Sequence, residues 1–167
     1  MSRGFVKEGD QEEVPIVPPR AFLPEGETNY VTQVGMNELL AEKEKLVLEK
    51  ENLNIADEDD KRVAANFINA KLFLLDNRID TAIIVNLEEQ PQNEVRFGAS
   101  VTLKIGENNR IKTFQIVGVD EADVSKGKIS FISPLAKVLT NKIVGDKAIL
   151  KRDKKDIVYE ILNIEYI

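Results

Sequence analysis

Two periodicities divide this chain. From Gln33 to Leu53 apolar residues recur at helical spacing, placing Met36, Leu39, Leu40, Leu46, Val47 and Leu53 on one face. Glu42, Lys43, Glu44, Lys45, Glu49, Lys50 and Glu51 fill most of the remaining positions. Thr32, just ahead of the run, can accept a backbone N–H as an N-cap. Residues 54–60, Asn-Ile-Ala-Asp-Glu-Asp-Asp, interrupt the pattern. A second helix is predicted from about Asp57 to Ile84. Its seam of Ala65, Ile68, Leu72, Leu75, Ile79 and Ala82 alternates steps of three and four, a heptad stripe. Two helices joined by a short polar link pack antiparallel, as a rod of roughly 27–40 Å at the rise of an α-helix. The same stripe would also suit a plain dimerising coiled coil.

Asn86 to Asn93, with Pro91, reads as a linker, and from Glu94 the period changes to two. Val101, Leu103 and Ile105 alternate with Thr102 and Lys104, Gly106-Glu107-Asn108-Asn109 makes a hairpin turn, and Phe114, Ile116 and Gly118 continue on the returning strand. Asp120 to Gly127 is a polar, glycine-ended turn. Ile129, Phe131 and Ile132 suit a buried strand, and Ser133-Pro134 opens a short helix to about Leu139, serine as N-cap and proline at the first helical position. Lys142 to Asp146 turns the chain into two more strands, Ala148 to Lys151 and Ile157 to Tyr166. The fold class is therefore α+β, an antiparallel helical hairpin followed by a β-sheet domain with one short helix. The expected organisation is an extended tail at 1–30, the hairpin at 31–86, a linker at 87–93 and the sheet domain at 94–167.

The tail holds four of the six prolines, and Val-Pro-Ile-Val-Pro-Pro cannot pair as a central strand, so it reads as mostly unordered. Phe5, Ile16, Val17, Phe22 and Leu23 are apolar enough to dock on a partner or on the body. Neither a signal peptide nor an apolar run of membrane-spanning length is visible, which points to a cytoplasmic protein without membrane contact. The chain lacks cysteine and histidine, so thiolate metal sites and histidine-based acid–base chemistry are excluded. A metal here would be a hard ion on carboxylates, such as magnesium. The net charge of −6 sits in the front half, which argues against a nucleic-acid grip there. The run Lys151-Arg152-Asp153-Lys154-Lys155 reads as a solvated hairpin tip before a nucleic-acid contact. No phosphate loop, nucleophile elbow or metal signature is present.

Several segments together resemble the Gre transcription elongation factors. Val95-Arg96-Phe97-Gly98-Ala99-Ser100-Val101-Thr102-Leu103 is similar to the family's first C-terminal strand, and Ile116 to Asp123 to its "IVG-x-DEAD" segment. Ser133-Pro134-Leu135-Ala136-Lys137-Val138-Leu139, followed by Lys142 and Val144-Gly145-Asp146, resembles the "SP-[LIM]-[AG]-[RK]-A-L … K-x-VGD" signature, with Val138 for the usual alanine and Asn141 for the usual glycine. The hairpin is entered through Tyr30-Val31-Thr32-x-x-Gly35, and Tyr159 to Tyr166 has the usual ending. The resemblance, over about residues 30–167, implies an FKBP-like C-terminal domain that docks on bacterial RNA polymerase and a coiled coil directed down its secondary channel. It puts the polymerase contact on Asp120, Glu121, Asp123, Ser133 and Pro134. It further implies a monomer that meets nucleic acid only through the elongation complex and has no cofactor of its own.

The tip departs from the family. Cleavage factors carry "D-x-x-ENA-[DE]-Y" there, whose acids help hold a second magnesium of the polymerase. Ungapped alignment puts Glu51 on the leading aspartate, Asn54 on the key glutamate, Ile55 on the asparagine and Ala56-Asp57 on "A-[DE]". An amide lacks the anionic oxygens that magnesium prefers, and the first helix is several turns shorter. The chain thus resembles short-hairpin members that bind polymerase with weak or no stimulation of transcript cleavage. Two readings of Asp57, Glu58, Asp59 and Asp60 stay open. They complement the helix dipole and cap its free amides, or Asp57 and Glu58 position a magnesium shared with the polymerase, which would make a true cleavage factor. A prolyl isomerase is a further alternative, resting on fold analogy alone. The aromatics Phe97, Phe114, Phe131, Tyr159 and Tyr166 lie mostly in strand alternation, which favours core over a prolyl pocket.

Overall fold

The computed structural model describes residues 14–167; Phe5 and the rest of 1–13 lie outside the described residues. Residues 14–29 carry no regular secondary structure. They lead into a two-residue strand, β1 (Tyr30–Val31), and then α1 (Gln33–Glu51). Thr32 caps α1, its Oγ accepting from the Gly35 amide at 2.9 Å. After a turn at residues 52–57, α2 (Glu58–Thr81) returns antiparallel, capped by Asp57, whose Oδ1 accepts from the amides of Asp59 and Asp60 at 3.0 Å each. Leu39 and Leu46 of α1 and Ile68 and Leu75 of α2 form the buried seam, flanked by Met36, Leu53, Leu72, Ile79 and Ala82. Lys43 and Asp76 join the helices along one open side at 2.7 Å. Leu40, expected on the packed face, is 47% exposed. The seam is one residue wide on α1, and Leu40 falls beside it rather than in it.

The second helix ends earlier than its pattern suggests. Ile83–Ile84 form a strand, β2, that pairs in parallel with β1 in the register Tyr30↔Ile83 and Val31↔Ile84. β-Branched residues after the last seam position suit this extended pairing better than another helical turn. The pair closes the open end of the hairpin, so the chain enters and leaves the rod side by side.

The linker contains a short 3-10 turn at Leu87–Glu89 and leads into the sheet domain. The strands are β3 (Ser100–Ile105), β4 (Arg110–Val117), β5 (Lys128–Ser130), β6 (Lys147–Leu150) and β7 (Ile157–Glu165), with α3 (Pro134–Leu139) between β5 and β6. The spatial order is β5-β4-β3-β7-β6, antiparallel except for the parallel edge pair β4–β5. Val101, Leu103, Phe114, Ile116, Tyr159 and Ile161 turn one sheet face into a core that α3 covers with Ala136 and Leu139. Tyr166 fastens the last strand to the domain entrance, donating from its hydroxyl to the Glu94 carbonyl at 2.5 Å and accepting from the Arg96 amide at 2.9 Å. Asn141 sits at φ 72°, the left-handed region, just after α3. Asparagine is, after glycine, among the residues that best tolerate that conformation. Among the described residues, no helix is long and apolar enough to cross a membrane.

Candidate functional site

The first two acids of the turn after β4 do not project into solvent, whereas Val124, Ser125 and Lys126 further along it do. Glu121 is 7% exposed, and its carboxylate accepts from the Thr32 hydroxyl, with the second oxygen at 3.0 Å. The Asp120 carboxylate is 8% exposed and lies 2.9 Å from Nε of Arg20 and 3.5 Å from a guanidinium nitrogen of Arg78. The second of these is a close approach of opposite charges without hydrogen-bond geometry. Arg20 also makes a two-pronged pair with Glu42, at 2.8 and 3.0 Å. Its guanidinium is held even more firmly protonated than usual, first by the Glu42 hydrogen bond and further by the charge of Asp120, against the opposing effect of burial. Arg78 donates to the carbonyl of Ala21 as well. One side chain of the tail thus ties α1 to the sheet domain, and one side chain of α2 reaches both the tail and the sheet domain.

This corrects two expectations. The resemblance places Asp120 and Glu121 in a polar turn that meets the polymerase, yet their carboxylates are buried because their partners arrive from Arg20, Thr32 and Arg78, far away in sequence. The proline-rich pattern predicts a mostly unordered tail, yet residues 14–29 are pinned at Arg20 and Ala21.

One glycine makes this junction possible and a second eases it. A Cβ on Gly118 would stand 2.5 Å from the Tyr30 carbonyl oxygen, so only glycine lets β1 cross the end of β4. A Cβ on Gly35 would meet Glu121 Oε1 at 3.1 Å, crowding the acid that Thr32 holds.

The other residues expected to dock a partner are more open. Asp123 is half-exposed and caps a 3-10 turn, Val124–Lys126, accepting from the Ser125 amide at 3.0 Å and the Ser125 hydroxyl at 2.5 Å. Those bonds, the hydroxyl's first, hold its carboxyl below the ordinary range. Ser133 caps α3 through the Ala136 amide at 3.3 Å, and Pro134 is exposed at the first helical position. At the other end of the molecule Asn54 lies exposed in the hairpin turn. Asp57, Glu58, Asp59 and Asp60 are all exposed, with Asp59 3.4 Å from Arg62. Asp57 spends one carboxylate oxygen on the two helix amides. Among the described residues no group of three or more acids is arranged to hold a metal ion.

The aromatic residues divide. Phe114 and Tyr159 are core. Phe97 and Phe131 instead meet Tyr30 in a three-ring cluster, with centroids 5.6–5.8 Å apart, on the wall of a cavity beside α3. Sequence alternation could not show this, because Tyr30 belongs to the hairpin.

Comparison with known proteins places these features. Residues 90–166 match the family model "Transcription elongation factor, GreA/GreB, C-term". The transcription elongation factor GreA of Hyphomonas neptunium is 36% identical over 101 residues, covering 60% of this chain and 64% of that protein. The transcription elongation factor GreB of Neisseria meningitidis is 39% identical over 101 residues, 60% of this chain and 61% of that one. The matches therefore span less than two thirds of these relatives' length. Among solved structures, the GreA factor homolog 1 (Gfh1) of Thermus thermophilus is 22% identical and covers 83% of this chain and 99% of its own, at a TM-score of 0.39, too low to carry an inference.

Proposed function

We propose that this chain, which belongs to the GreA/GreB family of transcription elongation factors through its C-terminal domain, regulates elongation by binding RNA polymerase at the secondary channel. The sheet domain docks, and the hairpin enters the channel. The observation that carries this reading is the junction. The domain that matches the family is locked to the rod by Thr32–Glu121 and by Arg20 with Glu42 and Asp120. A docked domain would therefore aim the hairpin in a fixed direction. Asp123, Ser133 and Pro134 form the exposed contact, while Asp120 and Glu121 serve it by holding the hairpin angle. The protein carries out no reaction of its own; any RNA cleavage is the polymerase's, with the polymerase's magnesium.

Stimulation of cleavage is weak or absent on this reading. Asn54 offers an amide where a carboxylate is needed, and Asp57 is engaged in capping. At about 1.5 Å per residue the 19 residues of α1 span only about 28 Å. The exposed Glu58, Asp59 and Asp60 favour one second reading, a cleavage factor with a displaced acidic tip. Transcript cleavage in a stalled elongation complex, with and without the protein, separates the two. A competition assay against a cleavage-active factor tests docking in both cases. Failure to compete would overturn the whole proposal.

A further inference from the structure

One cavity in the junction is used by neither the docking surface nor the tip. It measures about 490 Å³ and lies between Tyr30 of β1, Phe97, Phe131 and the C-terminal end of α3. The three rings form one wall. Lys137 of α3, Asn141 and Arg96 supply polar groups at its border. Arg96 gives one terminal nitrogen to Glu94 at 2.9 Å, but its Nε is buried with no hydrogen-bond partner among the described residues. The Tyr30 hydroxyl, the Asn141 side-chain amide and the Lys137 ammonium belong to exposed residues and have no protein partner among the described residues, so they are open to a ligand. No carboxylate lines the cavity, although the chain as a whole carries −6. Lys137 thus faces the opening without an acid, and Arg96, which shares one terminal nitrogen with Glu94 outside the lining, brings a buried Nε that nothing receives.

We propose that this cavity binds a small acceptor-rich anion on a flat aromatic body, of the mononucleotide class. The donor surplus calls for an anion. The ring wall suits a flat aromatic partner, by edge or face. The volume lies within the range of small-molecule pockets, and such pockets favour domain junctions. An acidic peptide fits less well, because it brings a backbone N–H for nearly every carbonyl and the lining is already rich in donors. The bound ligand touches the hairpin through Tyr30 and the sheet domain through Phe97 and Lys137, so it also stiffens the junction.

Titration of the full chain with adenosine and guanosine 5′-monophosphate tests this, followed by amide NMR and by tyrosine fluorescence, which no tryptophan obscures. The expected result is saturable binding with shifts at Phe97, Phe131, Lys137 and Asn141. Lys137→Glu, on an exposed helix position, weakens it by roughly tenfold or more while keeping the fold. Phe131→Ala weakens nucleotide binding as well. Lys154→Glu, in the basic β6–β7 loop, binds like the parent chain. The proposal is overturned by no saturation at millimolar nucleotide, by inorganic phosphate binding as tightly, by equal loss in Lys154→Glu, or by an acidic peptide occupying the cavity where nucleotide does not.

Discussion

The hydroxyl of Thr32 accepts from the Gly35 amide in the first turn of α1 and donates to Glu121, 89 positions along the chain. One atom therefore caps the rod and fastens it to the sheet domain. Thr32→Val keeps the shape and removes both bonds. It is expected to destabilise by about 1–3 kcal/mol, combining a lost N-cap with a buried carboxylate left short of a donor. Thr32→Ser restores most of the loss. Chemical denaturation of the three proteins checks this; equal stability of Thr32→Val and the parent would mean that the bond contributes nothing.

The seam of the hairpin predicts a sharp contrast. Leu75 is fully buried, so Leu75→Ala is expected to cost about 2–5 kcal/mol. Leu40 is 47% exposed, and Leu40→Ala should stay within about 0.5 kcal/mol. Thermal melts of both variants measure the difference. A larger loss at Leu40 would place the packed face elsewhere.

Arg20 predicts the order of the tail. Its side chain is 18% exposed and pairs with acids on two elements, so it is more sheltered than a surface ion pair. Arg20→Ala should raise hydrogen exchange across residues 14–29 and at the Asp120 turn, and destabilise by about 1–3 kcal/mol after allowance for solvent screening. Exchange unchanged in both segments would show that the tail is held by other contacts.

Asp123 gives a pH dependence. Its folded-state carboxyl is held below the ordinary 3.8 by Ser125. A depressed acid contributes stability that is present above its unfolded value and is lost as pH falls through the folded one. The contribution of this turn therefore fades only below about pH 4. Ser125→Ala removes the hydroxyl donor, and the Asp123 titration followed by NMR should move up toward the ordinary value. A midpoint that stays put would assign the depression to another group.

The tip can be dissected without losing the helix. Asp57→Asn keeps an oxygen for the amides of Asp59 and Asp60, whereas Asp57→Ala should cost about 0.5–2 kcal/mol. Glu58→Gln, Asp59→Asn and Asp60→Asn together should leave polymerase binding nearly intact and change any effect on elongation rate. Strong magnesium-dependent cleavage by the parent protein, abolished by Asp57→Asn or Glu58→Gln, would establish the cleavage-factor reading instead.

What the sequence made legible was local. The seam from Ile68 to Leu75, the caps at Thr32, Asp57 and Ser133, and the alternation of Val101 and Leu103 each arise from neighbours within a turn or a strand. What it hid was long-range. Strands of two residues, as in Tyr30↔Ile83, carry no periodicity to detect. Asp120 looks like any turn acid until Arg20, 100 positions earlier, reaches it. Gly118 could be seen as a glycine, but not the carbonyl passing where its side chain would be. The glycine in "IVG-x-DEAD" was the available hint, since a residue without Cβ among strand positions suggests a close backbone approach.

The separation between Thr32 and Glu121 also sets an order of assembly. Both helices of the rod lie before residue 82, so the hairpin can close on itself while the rest of the chain is still being made. Its angle cannot be fixed until Glu121 exists. At about 5–20 residues per second, roughly 5–20 s pass on the ribosome between the synthesis of the two halves of that bond. In the later part of that interval, once Thr81 has been made and until Glu121 follows it, the nascent rod is complete but unaimed, and Arg20 has Glu42 as its first acidic partner well before Asp120 arrives.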